Sequence, residues 1–509
     1  MALLPSLPAR FCATRFIPVV VVCLFFLAAV HYLDFSVVPS SLTSQKDNPD
    51  HHQQGLPEKQ KPEEANGEKE AEKPQSKPEG GCLPELQFLQ SPELGLSKKF
   101  EYTRRCVKPV FSAAIDRDVV SNLSQPLFTQ SLSVDLESCQ SIEQIPCEPL
   151  ELTVPNPYPK NSYKNFVFAV ATSYERLGVS KSTFAHWMAN TDALLIGLIT
   201  DEEKPDSPKL DFPALEEDFK KSGVNLKLVK PHSPKHSWKH SHLMVILDMI
   251  EAATNDTQWL GILDDDTFVP HMLPLAETLK GYDHTKPAYI GALSESFQAC
   301  RFGMAAFGGA GIFISVPLAK ELEPHLESCL SARGGDMQLM ECIYKHSHAK
   351  LQTVPALHQQ DMQGDLSGFF ESGWRYLSLH HWKSWYKAPV EQMAKIVNIC
   401  GECFLQRWVF GEDTVLSNGY SIAKYPKGLP DLNKMEATWN NADSGDFDWS
   451  MGPLRAKVQK GDKKLYRLVD AVPTESGGLR QIFVFKGDKE KNENDEVIEL
   501  VWDGSSSSS

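Results

Sequence analysis

At 509 residues the chain can hold two or three domains of roughly 100–200 residues each, and a 41% hydrophobic content suffices for a sizeable core. The formal net charge of −15 excludes a general nucleic-acid binder, since holding phosphates takes a basic surface. Acidity otherwise speaks only to solubility.

Residues 1–15 read as a cytoplasmic tail. From Phe16 to Leu33 the chain is apolar almost throughout (FIPVVVVCLFFLAAVHYL). As a helix rising about 1.5 Å per residue it would be roughly 27 Å long, close to the ~30 Å hydrocarbon core of a bilayer. Arg10 and Arg15 precede it and Asp34 follows, so the positive-inside bias sends the N-terminus to the cytosol and the rest to the lumen. A cleaved signal peptide is the other reading of this segment, although no clear small-x-small site precedes His31 and Tyr32. Residues 34–80 are dominated by Lys, Glu, Gln and Pro and cannot bury enough surface to offset their ordering entropy, which predicts a disordered stem. Such an anchor and stem suit an enzyme held off a membrane, and would equally suit a receptor. Of eleven cysteines, Cys12 and Cys23 lie in or before the apolar segment, and the other nine would meet an oxidising lumen that favours disulfides. Nine is odd, so at least one thiol stays free or pairs between chains. Asn122 and Asn255 begin Asn-x-Ser/Thr sites.

Residues 81–160, with four cysteines and several Pro-bounded pieces, read as a disulfide-tied N-terminal flank. Residues 161–435 have a clearer pattern. NFVFAVAT and ALLIGLIT read as buried strands with a short helix, FAHWMANT, between them, and VNLKLVK as a third strand. SWKHSHLMVILDMIEAAT places Leu243, Ile246, Leu247 and Ile250 at helical spacing. WLGILDDD then reads as a strand ending in acids. Strands alternating with helices predict an α/β domain whose mainly parallel sheet is covered on both faces. AYIGAL, FGGAGIFIS, a helix over Met337 to Lys345 and RYLSLHHWKSW complete it. In residues 436–505, KKLYRLVDAVP, GLRQIFVFKG and EVIELVWDG, separated by turn residues, predict a small antiparallel, β-rich appendage.

The strongest candidate site is Asp264-Asp265-Asp266. In open α/β sheets ligands bind beyond the carboxyl ends of strands, and carboxylates there can hold a hard divalent cation such as Mn²⁺ or Mg²⁺. Such an ion would neutralise the phosphates of a nucleotide sugar. An acidic turn after a buried strand is the plainer reading.

WLGILDDDTFV, FGGAGIFIS, GGDMQLMECI and LSLHHWKSW, in this order and spacing, resemble glycosyltransferase family 31, most closely its Fringe-like branch and related fungal proteins. The resemblance runs from Asn165 to about Pro430. It implies a Rossmann-like GT-A fold, a metal-bound UDP-sugar donor, a glycan or glycoprotein acceptor, and inversion at the anomeric carbon, typically forming a β1,3 linkage. A Golgi or ER membrane enzyme with a lumenal catalytic domain follows from the resemblance and the anchor together. On this reading Asp266 is the direct metal ligand, and Asp264 and Asp265 reach the ribose or donor sugar. The metal-binding histidine, following an apolar residue in a late strand, falls on His380 after Leu379, with His381 as the adjacent alternative. Asp336 is the catalytic base that takes the acceptor hydroxyl's proton. It also stands where an N-cap aspartate belongs, after Gly334-Gly335 and ahead of an apolar helix, and the family's usual second acid is absent. Gly309 and Gly311 would let backbone approach bound sugars, or would simply form a tight turn. Thr172 and Ser173, at the end of the first strand, sit where the fold receives the nucleotide. Trp382, Trp385 and Tyr386 could stack on a sugar or belong to the core.

His232, His236, His240 and His242 lack a Cys or carboxylate frame and read as a solvated loop and helix start. Cys400 and Cys403 have redox spacing without a thioredoxin-like context, and read as a disulfide. Rival functions are a catalytically silent lumenal chaperone or glycan-binding protein of the same fold, and a phosphatase or nuclease. The last would need a second acidic cluster at a strand end, which the sequence lacks.

Overall fold

A computed structural model of the protein describes residues 84–137, 145–201, 210–301, 303–331 and 333–504. The described residues all belong to one compact unit, Lys77–Ser509. The expected tail, membrane segment and stem lie outside them, as do Cys82 and Cys139. Among the described residues no helix is long and apolar enough to cross a membrane.

Seven strands form the sheet that carries the site: β1 (Phe166–Thr172), β2 (Leu194–Ile199), β3 (Asn225–Val229), β4 (Trp259–Leu263), β5 (Tyr289–Gly291), β6 (Ile312–Ser315) and β7 (Leu351–Thr353). Their order is β7-β5-β6-β4-β1-β2-β3. Only β6 runs against its neighbours, antiparallel to β4 and β5, while all other pairs are parallel. This is the mainly parallel α/β sheet expected of a Rossmann-like, GT-A domain.

These strands read as continuous apolar runs because both faces are covered. In β1, Phe166, Phe168 and Val170 enter one core while Val167 and Ala169 enter the other; Trp259 and Leu263 divide from Leu260 and Ile262 in the same way in β4. Gly261 makes room for Phe168 and Phe313, whose rings meet edge to face with centroids 6.4 Å apart. A Cβ at Gly261 would lie 2.8 Å from Phe168 Cδ1, closer than packed carbon atoms tolerate. Helices α1 (Tyr174–Val179), α2 (Ser241–Ala252) and α3 (Gly335–His346) bear on the site. α2 and α3 share the second core through Leu243, Ile246, Leu339 and Ile343. The disulfide Cys329–Cys342 ties α3 to the segment before it.

A second, ten-stranded sheet draws its strands from several segments of the chain. Lys99–Phe111, from the N-terminal flank, lies parallel to Asp495–Trp502, the last strand of the chain. That strand pairs antiparallel with Leu479–Phe485, which pairs with Lys464–Pro473, which pairs with Ser421–Lys424. Flank and appendage are therefore parts of one sheet that also takes strands from the 161–435 segment. Phe100 finds its partner, Asp495, near the opposite end of the sequence. Cys106–Cys147 staples the flank strand to the segment entering Glu148–Val154, and the Cys400–Cys403 disulfide forms as expected. One hydrophobic core, built on Trp408, Phe483 and Trp502 of the second sheet, extends to Phe268 and Leu379 beside the acids.

Candidate active site

The chain turns as soon as β4 ends. Thr267 N donates to Asp264 O and Asp264 N to Thr267 Oγ1, each at 3.1 Å, which sets three successive carboxylates beyond the carboxyl end of the strand. Asp265 is buried and held by protein. Thr172 Oγ1 donates to it, and Arg176 on α1 grips it through Nε at 2.7 Å and through Nη2. Ser173 caps α1, its Oγ accepting from Arg176 N at 3.3 Å. Thr172 and Ser173, expected to meet the nucleotide, thus have their hydroxyls engaged in positioning Asp265 and α1.

A distant segment brings the histidine. Phe268 and Leu379 exchange both backbone hydrogen bonds at 2.8 Å, which places the next residue, His380, against the acids. His380 Nε2 lies 3.0 Å from Asp266 Oδ1 and 3.3 Å from Asp264 Oδ2. The expected late strand is only a pair of isolated bridges, Phe268 with Leu379 and Leu357 with Ser378. Extension stops at His381, whose φ of 58° is left-handed. His381 turns its Nε2 to Asp361 Oδ1 at 3.2 Å and stacks flat on Trp385, ring centroids 4.1 Å apart.

Burial works against charge on His380, yet Asp264 and Asp266 outweigh it and push its pKa up to about 10. Burial likewise opposes ionisation of Asp264, but His380 and His242 hold its carboxyl down at about 2. Asp266 is lowered for the same reasons, burial opposing and His380 prevailing.

The donor set fits a divalent cation. Two ligand atoms each about 2.1 Å from one ion, at right angles, lie about 3.0 Å apart, which is the separation of Asp266 Oδ1 and His380 Nε2. His380 Nδ1 is engaged by Gln359 O at 3.1 Å, which turns Nε2 toward the acids. Asp266, His380 and His381 each offer an atom within 4.8 Å of the others.

Asp336 lies in the first turn of α3, but Gly334 is the N-cap and no side-chain cap bond forms. The Asp336 carboxylate instead meets His242 Nδ1 at 3.2 Å, and His242 Nε2 meets Asp264 Oδ1 at 3.3 Å. With a carboxylate at each nitrogen, both donate. Burial opposes the charge, but Asp336 and Asp264 prevail and push the His242 pKa up to about 9. His242 therefore belongs to the site, against the expectation of a solvated helix start. Arg176 was also not expected. No local spacing joins His242 to Asp336, which is 94 residues away; the only hint was an ionisable side chain opening an apolar helix.

Gly308 closes over these groups: a Cβ there would lie 3.0 Å from Asp264 Oδ1 and 3.2 Å from Asp336 Oδ1. Gly309 makes room for the His380 ring, and Gly311 adopts a left-handed φ of 99°. Trp382 and Tyr386 are buried, with Trp382 Nε1 donating to Asp266 O at 2.8 Å, whereas Trp385, stacked on His381, is 42% exposed.

Residues 298–395, less than a quarter of the chain, match the family described as "Protein of unknown function, DUF604". That segment contains Gly308–Gly311, Asp336 and His380. No curated protein matches. Among solved structures, apo mouse xyloside xylosyltransferase 1 is similar at 11% identity and a TM-score of 0.25, over 38% of this chain and 85% of that one. A galactosyltransferase, LgtC, with donor and acceptor sugar analogues shows 10% identity and a TM-score of 0.25, over 46% of this chain and 83% of that one. A 4-diphosphocytidyl-2C-methyl-D-erythritol synthase from Anaerococcus prevotii DSM 20548 shows 13% identity and a TM-score of 0.24, over 38% and 89%. At these TM-scores the similarity adds nothing to what the sheet itself displays.

Proposed function

We propose that this protein is an inverting, metal-dependent glycosyltransferase that moves a sugar from a UDP-sugar to a glycan hydroxyl, forming a β1,3 linkage. The observation that carries the reading is the 3.0 Å approach of Asp266 Oδ1 and His380 Nε2 beyond the carboxyl end of β4. Asp266 and His380 would hold Mn²⁺ or Mg²⁺, with His381 beside them. When bound, the ion neutralises the diphosphate and stabilises UDP as a leaving group. Asp264, held between His242 and His380, and Asp265, fixed by Thr172 and Arg176, face the donor side. Asp336 accepts the proton of the acceptor hydroxyl as its oxygen bonds to the anomeric carbon and the bond to UDP breaks. His242 holds that carboxylate in place.

We place the enzyme in the Golgi or ER membrane with its catalytic domain in the lumen. Three disulfides among the described residues, and the exposure of Asn122 and Asn255, agree with an oxidising, glycosylating compartment. The test is UDP release by the full-length protein, with Mn²⁺ or with a chelator, over a panel of UDP-sugars and glycan acceptors. Wild type should turn over only with metal, and Asp266→Ala should lose activity while its circular dichroism stays unchanged. Full activity of Asp266→Ala would end the metal reading. A wild type inert with every pair would favour a silent binding protein.

A further inference from the structure

A cavity of about 770 Å³ opens beside the site, within the usual volume of a small-ligand pocket. Its floor is Ala292–Glu295, just after β5, and Val354–His358, just after β7. It therefore sits on the same carboxyl edge of the sheet as Asp264–Asp266. His358, on its wall, runs directly into Gln359 and Gln360, which bond Ala310 N and His380 N, each at 3.1 Å.

The chemistry of the lining is specific. Trp374 stacks on His358 with ring centroids 6.1 Å apart, and Trp449, 49% exposed, adds a second aromatic surface. Buried Glu295 accepts from His358 Nδ1 at 3.0 Å and from Gln360 N at 2.7 Å. Glu295 thereby fixes the His358 ring in the cavity wall. The cations here are already engaged. Arg375 is paired with Asp118 and Glu402, and Arg407 donates to the carbonyls of Leu432 and Asp118. With Glu295 and Asp118 also present, nothing favours a phosphate or other anion.

A sugar offers apolar ring faces to aromatic side chains, hydroxyls to polar ones and no charge, which suits a wall of Trp374, Trp449 and Asn433 whose cations are already paired. We propose that this cavity binds a neutral oligosaccharide, the part of the acceptor glycan remote from the reacting hydroxyl. The proposal rests on the glycosyltransferase reading for the word acceptor, but not for the binding itself.

The test uses full-length protein on a printed array of neutral oligosaccharides, with no donor present, alongside calorimetric titration of UDP with Mn²⁺. Wild type should capture array glycans. Trp449→Ala should weaken capture at least 10-fold and Trp449→Phe restore most of it, while UDP affinity stays the same in all three. No captured glycan, or equal capture by Trp449→Ala, overturns the proposal. Glycan capture that depends on Trp449 without any UDP binding would uphold the cavity and sink the transferase reading.

Discussion

At Gly309 the space that a side chain would occupy is filled by the His380 ring. A Cβ there would fall 2.1 Å from His380 Nδ1, so Gly309→Ala must displace the imidazole from Asp266. Mn²⁺ affinity measured by calorimetry should fall about 10-fold or more, the range seen when support of a ligand is lost, with the fold intact. Unchanged affinity would remove His380 from the ligand set. Asp336 and His242 make a second contrast. Asp336→Asn should bind UDP normally and lose turnover by roughly 10²–10⁴-fold, the range of general-base removal. His242→Ala leaves Asp336 and Asp264 without the cation between them and should cost roughly 10–100-fold in activity. Turnover unaffected by either change would return these residues to a structural role.

Among the elements, the strand Asp495–Trp502 depends on its first residue. Asp495 accepts from Ser97 N at 2.9 Å, Gly487 N at 3.0 Å and Lys486 Nζ at 3.2 Å, tying flank and hairpin together. Burial would raise its pKa, but these donors prevail and lower it. A depressed carboxyl stabilises the fold above its ordinary value near ~3.9, and the contribution is lost as pH falls through the folded value. Asp495→Asn should destabilise by about 1–3 kcal/mol in urea at pH 7, with the deficit shrinking below about pH 4. A deficit independent of pH would show that the charge plays no part. The short elements around the site act differently. The segment after Leu377 is held by two isolated bridges rather than a ladder, which leaves His380 and His381 free to point differently.

For the whole molecule, the decisive feature is that strands from both ends of the described chain pair within the second sheet. Removing residues 464–509 would strip Lys99–Phe111 of its partner Asp495–Trp502 and leave a long unpaired edge. Unpaired edges of that kind associate with other chains. The truncated protein should elute as aggregate on gel filtration, even though the β1–β7 sheet is untouched. A soluble, monomeric truncation that still bound UDP would show that the C-terminal strands are an independent appendage after all.

The sequence alone determined the α/β alternation, the strand that ends at Leu263, the acids that follow it, and the helix of Asp336. These depend on apolar runs and helical spacing, which are local properties of the chain. It could not reveal that His242 stands between Asp336 and Asp264, that Thr172 and Ser173 are occupied by protein, or that Gly309 makes room for an imidazole. Nor could it join Phe100 to Asp495 or close a cavity over His358. Those facts depend on contacts between residues far apart in the chain, and only the tertiary packing brings them within a few ångströms.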